Sequence, residues 1–491
     1  MKITSPKLDT SNLSANEKAL LRCQRALELK DKGEYESSQS ILRPLWKMLG
    51  ERPRTKDLHP SVAAEVLLCV GIMTGWIGSK NQVNEAQEIA KNLISESISY
   101  YESVGDVRKI AEARAEIAYC YWREGGLDEA RIMLNEALEK LTSEGNTRAR
   151  AFLKLATVEW SASRYDVALE ILMNNASLFQ KVTNHTTRGN YHNELAIVFR
   201  HLATAEKKEN YLKRAIAEFE KADYHFGLAK NNVFRATVKN NVGLILFNQA
   251  RFKESLKYLA EARRLSVIAK DKVRTAQFDE SRAQVLIALG RLTEADTVLR
   301  GVIQVFARSG HQCLLADALI THGIALAHLH RTDQAQYTFQ RAIEVAHQVG
   351  ALNKAGLGAL TLIEELDELS PETLHAAYNR ASEWLANSQS QDILLRLNSA
   401  ARKVLLALRK DLEDQDATED LLNKPCDLQA EVLRYEGVLI RQALAKVSGS
   451  VTRAAALLGM SYQGLAYVIE SRHKDLLKER SPIRRRSRRD C

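Results

Sequence analysis

The stretch NNVGLILFNQARFKESLKYLAEAR, residues 240–263, decides the fold. It reads as two short helices around a break. Gly243 is a small residue in the first helix, Ala250 sits at the turn, and Ser255, Leu259 and Ala262 recur at helical spacing in the second. The same grammar returns in AEIAYCYWREGGLDEARIMLNEAL (115–138), SRAQVLIALGRLTEADTVLRGVI (281–303) and ITHGIALAHLHRTDQAQYTFQRAI (320–343). The small residue of the second helix falls at Ala130, Ala168, Ala215, Ser255, Ala295, Ala335 and Ala377, close to 40 residues apart through the middle of the chain. Small residues let two helices approach closely, and Leu or Phe then fills the space between hairpins. Such a hairpin cannot bury its apolar face alone, so neighbours must stack.

Proline supports the same reading. None occurs between Ser61 and Ser370, and hairpin dipeptides are scarce, so helix is expected throughout. The pattern resembles the tetratricopeptide repeat family in its longer-period variants. Gly125, Leu127, Ala130, Leu134 and Ala137 match best, and Gly33, Tyr35, Ser38 and Leu42 suggest an earlier copy. Gly323, Ala335, Phe339 and Ala342 fit a later one in which His330 takes the place of the turn glycine. The segment TAEKKEN (204–210) reads as an extended hairpin turn. The resemblance implies a superhelical array over 16–409, after a flexible 1–15, whose concave surface takes a peptide or protein ligand or mediates dimerisation.

Beyond the array, 410–426 is rich in acidic residues and reads as a solvated linker, with a strip that shields a basic neighbour as the alternative. The chain carries a net charge of +9, and residues 426–491 hold 13 Lys and Arg against 7 Asp and Glu. A local basic excess is what phosphate binding requires. In this region Val438, Leu439, Ala443 and Leu444 share a helical face, with Ile440 beside it. Ser450 can cap a short helix holding Ala454 and Ala455, Gly459 suits a turn, and Ser461 can cap a further helix from which Met460, Leu465 and Val468 point to a core. Two short helices about a glycine turn form the helix-turn-helix pattern.

This segment, 427–480, resembles the Fis-type DNA-binding domain of bacterial regulators, through Glu436, Leu439, Ile440, Ala443, Leu444, Gly449, Ala454, Ala455, Leu458, Gly459 and Ser461. Ser450 stands where Asn is common, and Gly464 and Ala466 depart from the usual recognition helix. The resemblance implies double-stranded DNA as partner, a homodimer on two-fold sites, and a recognition helix from Ser461 towards Arg472. Ser461, Tyr462, Gln463, Gly464 and Tyr467 would face the groove, with Gln463 suited to an adenine edge. Thr452 and Arg453, then Arg472, His473 and Lys474, would meet phosphates. Arg484, Arg485 and Arg486 in the tail, 481–491, would add phosphate or minor-groove contacts.

Other functions lack support. No Gly-x-x-x-x-Gly-Lys loop, His-Glu-x-x-His helix or Gly-x-Ser-x-Gly elbow occurs. His322, His328 and His330 lack ligand spacing, and the six scattered cysteines suit neither disulfide nor zinc frameworks. Cys23, Cys69, Cys120 and Cys313 read as buried small hydrophobes, and the five tryptophans as core residues within repeat helices. No enzyme activity, cofactor or metal is expected. No apolar run reaches the roughly 18 residues of a membrane span, and residues 1–26 lack a leader's apolar core. The expectation is a cytoplasmic DNA-binding regulator, with a non-enzymatic interaction scaffold carrying a degenerate helix-turn-helix as the alternative.

Overall fold

The computed structural model describes residues 12–479, apart from 84, 206–208, 387, 389 and 416–427. Among these residues there are 23 α-helices, one short 3-10 helix and no strand. The chain divides into two compact units, 1–404 and 405–491. The break in the reading at Arg409 is close to this division. The last helix of the array nevertheless runs from Gln391 to Gln415 and so extends into the segment read as linker.

Among the described residues the first unit is a stack of nine helical hairpins. The hairpin read first is typical: its helices are Asn232–Asn248 and Phe252–Ile268. They cross so closely that a Cβ on Gly243 would meet Leu259 Cδ2 at 2.8 Å. Ser255 is fully buried and its Oγ donates to the Gly243 carbonyl at 2.7 Å, so the small polar residue is satisfied within the contact. Ala130, Ala168, Ala215, Ala295 and Ala335 occupy the equivalent place and are equally buried. The suspected early copy is a true hairpin, Ala15–Asp31 with Tyr35–Leu42. One hairpin escaped the sequence reading: Pro60–Asn81 with Ala86–Ser103, where Gly71 and Gly78 lie against Ile94 and Ala86.

Turn geometry is regular. Residues 230, 250, 270, 290, 310, 330 and 350 all adopt positive φ, one every 20 residues. Glycine fills three of them, while Lys230, Ala250, Lys270 and His330 hold the left-handed conformation at φ of 56–57°. A side chain there costs about 1 kcal/mol that glycine avoids. Ala250→Gly and His330→Gly are therefore each expected to raise stability by about 1 kcal/mol, read as a higher urea midpoint at unchanged m-value.

The array also closes on itself. Asn231 Nδ2 donates to the Asp31 carbonyl at 2.7 Å, and Thr186 Oγ1 donates to the same oxygen at 3.3 Å. Gly33 lies so near Val233 that a Cβ would come within 2.9 Å of its Cγ2. The turn of the first hairpin thus rests on the sixth, and the intervening hairpins form a ring.

Several expectations need correction. The helix Pro60–Asn81 is long and apolar enough to cross a membrane by length and composition, although most of its apolar window is buried in the array. Trp46 is buried but lies in the turn after Leu42, where its Nε1 donates to the Glu51 carbonyl, and the other four tryptophans are only partly buried. Cys313 is likewise half-buried, unlike Cys23, Cys69 and Cys120. His322 bonds Asp296 at 2.8 Å, His328 bonds Glu365 at 3.0 Å and His330 sits in a turn, so the three do not converge. The segment read as an extended turn at 204–210 is helical up to Ala205 and again from Glu209, with 206–208 outside the described residues, as are most of the acidic segment and the Arg-rich tail.

Candidate nucleic-acid interface

Three helices build the second unit's core: Leu428–Lys446, Val451–Leu457 and Tyr462–Arg472. Ile440, Ala443, Leu444, Ala454, Ala455, Leu465 and Ile469 are buried together. The inward face of the first helix is thus Ile440 with Leu444. Leu439, expected on that face, is exposed, because 100° of helical rotation separates consecutive side chains.

Each connection has a backbone reason. The first helix ends through Ser448 and Gly449, both at positive φ, with Gly449 N bonded to the Leu444 carbonyl at 2.8 Å. The second ends at Gly459, φ 65°, with Met460 N bonded to the Ala455 carbonyl at 2.9 Å. These are Schellman-type stops, which satisfy the carbonyls left over at a helix end. Ser461 caps the third helix, its Oγ accepting from Gly464 N at 3.0 Å. Ser450 occupies the corresponding position of the second helix, but its side chain makes no capping bond. Met460 is exposed rather than inward, since it belongs to the turn.

Gly464 therefore sits in the first turn of the third helix, where its N–H serves the cap. A Cβ there would approach Ser461 Oγ at 3.1 Å. Glycine at this position does not interrupt the helix.

The third helix presents a continuous outer face. Ser461, Tyr462, Gln463 and Tyr467 are exposed, with Tyr467 at 69%, while Leu465 and Ile469 anchor the opposite face. Thr452 and Arg453 are exposed at the start of the second helix. Arg472 and Lys474 are also exposed.

His473 is different. It is only 7% exposed, its ring packs on Gly437, and its Nε2 lies 2.8 Å from Glu436 Oε2. A phosphate contact by His473 is therefore corrected: it ties the end of the third helix to the first. Glu436 also holds Arg472 at 3.6 Å. Beyond it, the 3-10 turn Lys474–Glu479 buries Leu476 and pairs Asp475 and Glu479 with Arg441. The sequence reading missed this closing turn. Arg453, Lys446, Lys474 and Lys478 have no carboxylate partner among the described residues. Arg484, Arg485 and Arg486 lie outside them.

Fold and site define a helix-turn-helix domain joined to a helical-repeat array. Residues 434–469 match the family described as "Bacterial regulatory protein, Fis family", and the C-terminal unit is a Fis-family helix-turn-helix domain. No curated protein sequence matches the chain. Among solved structures, the chain is similar to a signal-transduction ATPase with numerous domains and a tetratricopeptide repeat sensor from Pyrococcus horikoshii. That match has 15% identity and a TM-score of 0.52, covering 73% of this chain and 54% of the other. The chain thus spans about half the length of that protein, and the likeness shows the fold: a tetratricopeptide-like array. Aspartyl phosphate phosphatase F from Bacillus subtilis is similar at 13% identity, over 81% of this chain and 96% of that one, with a TM-score of 0.47. A Rap protein complexed with competence and sporulation factor is similar at 13% identity, 80% and 99% coverage and TM-score 0.47.

Proposed function

We propose that this protein is a sequence-specific transcriptional regulator of bacterial type. It acts in the cytoplasm and catalyses no reaction. The observation that carries this reading is the helix Tyr462–Arg472, held rigidly by Leu465 and Ile469 while Tyr462, Gln463 and Tyr467 stay open on its outer face. A helix so presented fits the major groove, and Arg453 with Lys474 would flank it on the phosphates. A homodimer suits a two-fold DNA site, and the exposed Val432 and Leu439 on the first helix of the domain offer apolar surface for a second copy. The repeat array takes a peptide or protein partner.

The test is fluorescence anisotropy of the full protein on genomic and random DNA across a salt series, beside a version ending at Lys424. Only the full protein should bind, with a steep salt slope. Gln463→Ala is expected to cost about 1–3 kcal/mol on the selected site and to relax specificity there, while Arg453→Ala weakens all sequences alike and flattens the salt slope by about 1. Equal behaviour of the full and shortened proteins at every salt would sink the proposal.

A further inference from the structure

The first two turns of the helix Tyr462–Arg472 carry no charged side chain. From Ser461 to Ile469 the residues are Ser, Tyr, Gln, Gly, Leu, Ala, Tyr, Val and Ile. Leu465 and Ile469 are buried in the domain core, which leaves Gln463 and Tyr467 on the opposite, exposed side. At about 100° and 1.5 Å per residue, these two lie roughly 40° apart around the axis and about 6 Å apart along it. Gly464 and Ala466 fall on the two flanks of this line, so small residues border it on both sides. The Ser461 hydroxyl is already engaged in capping Gly464 N. The charged residues of the helix, Glu470 and Arg472, come only in its third turn, and Arg472 reaches back to Glu436 at 3.6 Å.

Base pairs differ in what they show to a helix in the major groove. Guanine is read mainly by Arg or Lys on its O6 and N7, and cytosine by Asp or Glu on its amino group. Neither kind of side chain occurs on these two turns, and it is the N-terminal part of a recognition helix that meets base edges. The residues present suit the other pair. A Gln carboxamide bonds adenine N6 and N7 together, and apolar surface packs on the thymine C5-methyl. Tyr467, 69% exposed, is the largest such surface on the outer line. Base pairs rise by about 3.4 Å, so the roughly 6 Å from Gln463 to Tyr467 spans about two of them. The small flanks at Gly464 and Ala466 let this line approach the base edges with no bulky neighbour against the groove wall.

We propose that the recognition helix is specific for A·T pairs, with Gln463 on an adenine and the Tyr467 ring packed on the methyl of a thymine about two base pairs away. This rests on the reading of the protein as a DNA-binding regulator, and it names the class of sequence that is read.

The full chain would be used to select binding sites from a random duplex library, and the selected site would be resynthesised with deoxyuridine in place of single thymines. Uracil keeps the base pair and lacks only the methyl group. The selected half-sites should centre on A·T pairs. At one thymine the uracil exchange should weaken binding about fivefold or more. Tyr467→Ala should bind the thymine and uracil sites equally, while Tyr467→Phe, which keeps the ring, should still prefer thymine. Such a cycle isolates the contact between ring and methyl from any general loss of affinity. If Tyr467→Ala disturbs the fold by circular dichroism, Tyr467→Phe and the thymine–uracil comparison on the unaltered protein still decide. Fixed G·C pairs at the centre of the half-sites, equal affinity for every uracil site, or a thymine preference that survives in folded Tyr467→Ala would overturn the base assignment and leave the regulator reading standing. Retention of no duplex at all would bring down both.

Discussion

Phe339→Ala is expected to lower the stability of the array by about 3–5 kcal/mol, the usual cost of emptying a large aromatic site. Phe339 is fully buried. Its ring lies against Gly323, where a Cβ would come within 2.6 Å of Phe339 Cε1. The missing side chain at 323 and the large one at 339 are therefore one packing unit across the two helices of a hairpin, Gln312–His328 and Thr332–Gln348. Urea denaturation followed by circular dichroism would show the loss as a lower midpoint. The pairing makes a sharper claim. Gly323→Ala alone should destabilise, since the overlap outweighs the roughly 1 kcal/mol that alanine gains in helix propensity. Added to Phe339→Ala it should stabilise, because the ring it struck is gone. A double-mutant cycle with additive effects would refute the packing account.

Leu465→Ala is expected to abolish DNA binding, by at least 100-fold, without moving the main unfolding transition of the array. Leu465 is the fully buried residue through which the exposed helix holds to its core. A domain of some 50 residues has only a few kcal/mol of stability, and truncating a buried leucine removes about 2–5. The terminal domain should then unfold while the array, a separate compact unit, persists. Calorimetry would show one transition kept, and anisotropy would show binding lost. Retained binding would mean that Leu465 does not hold the interface together.

Much of this was legible in sequence because the cause is local. A small residue at Ala130, Ser255 or Ala335 and a large one four positions on are fixed by how two adjacent helices touch. The glycine stops at Gly449 and Gly459 were readable for the same reason. What escaped depends on distant partners. Asn231 and Asp31 are 200 residues apart, and nothing in either neighbourhood announces the hydrogen bond that closes the ring. His473 looked like an exposed basic residue in a basic stretch. Its burial is set by Glu436 and by the bare backbone of Gly437 in the first helix of its domain, some 37 residues earlier.

The turn spacing has a consequence for how such a chain changes length. Left-handed residues recur every 20 positions from 230 to 350, so the middle of the array is assembled from parts of one gauge. Excising residues 291–330 would splice Gly290 directly to Arg331, turn to equivalent turn, and remove one whole 40-residue module. The contacts that close the ring, from Asp31 and Gly33 to Asn231 and Val233, all lie upstream of the splice. Growth and shrinkage of this stretch are thus quantised, and they can proceed like adding or removing links from a chain without disturbing the clasp at its head.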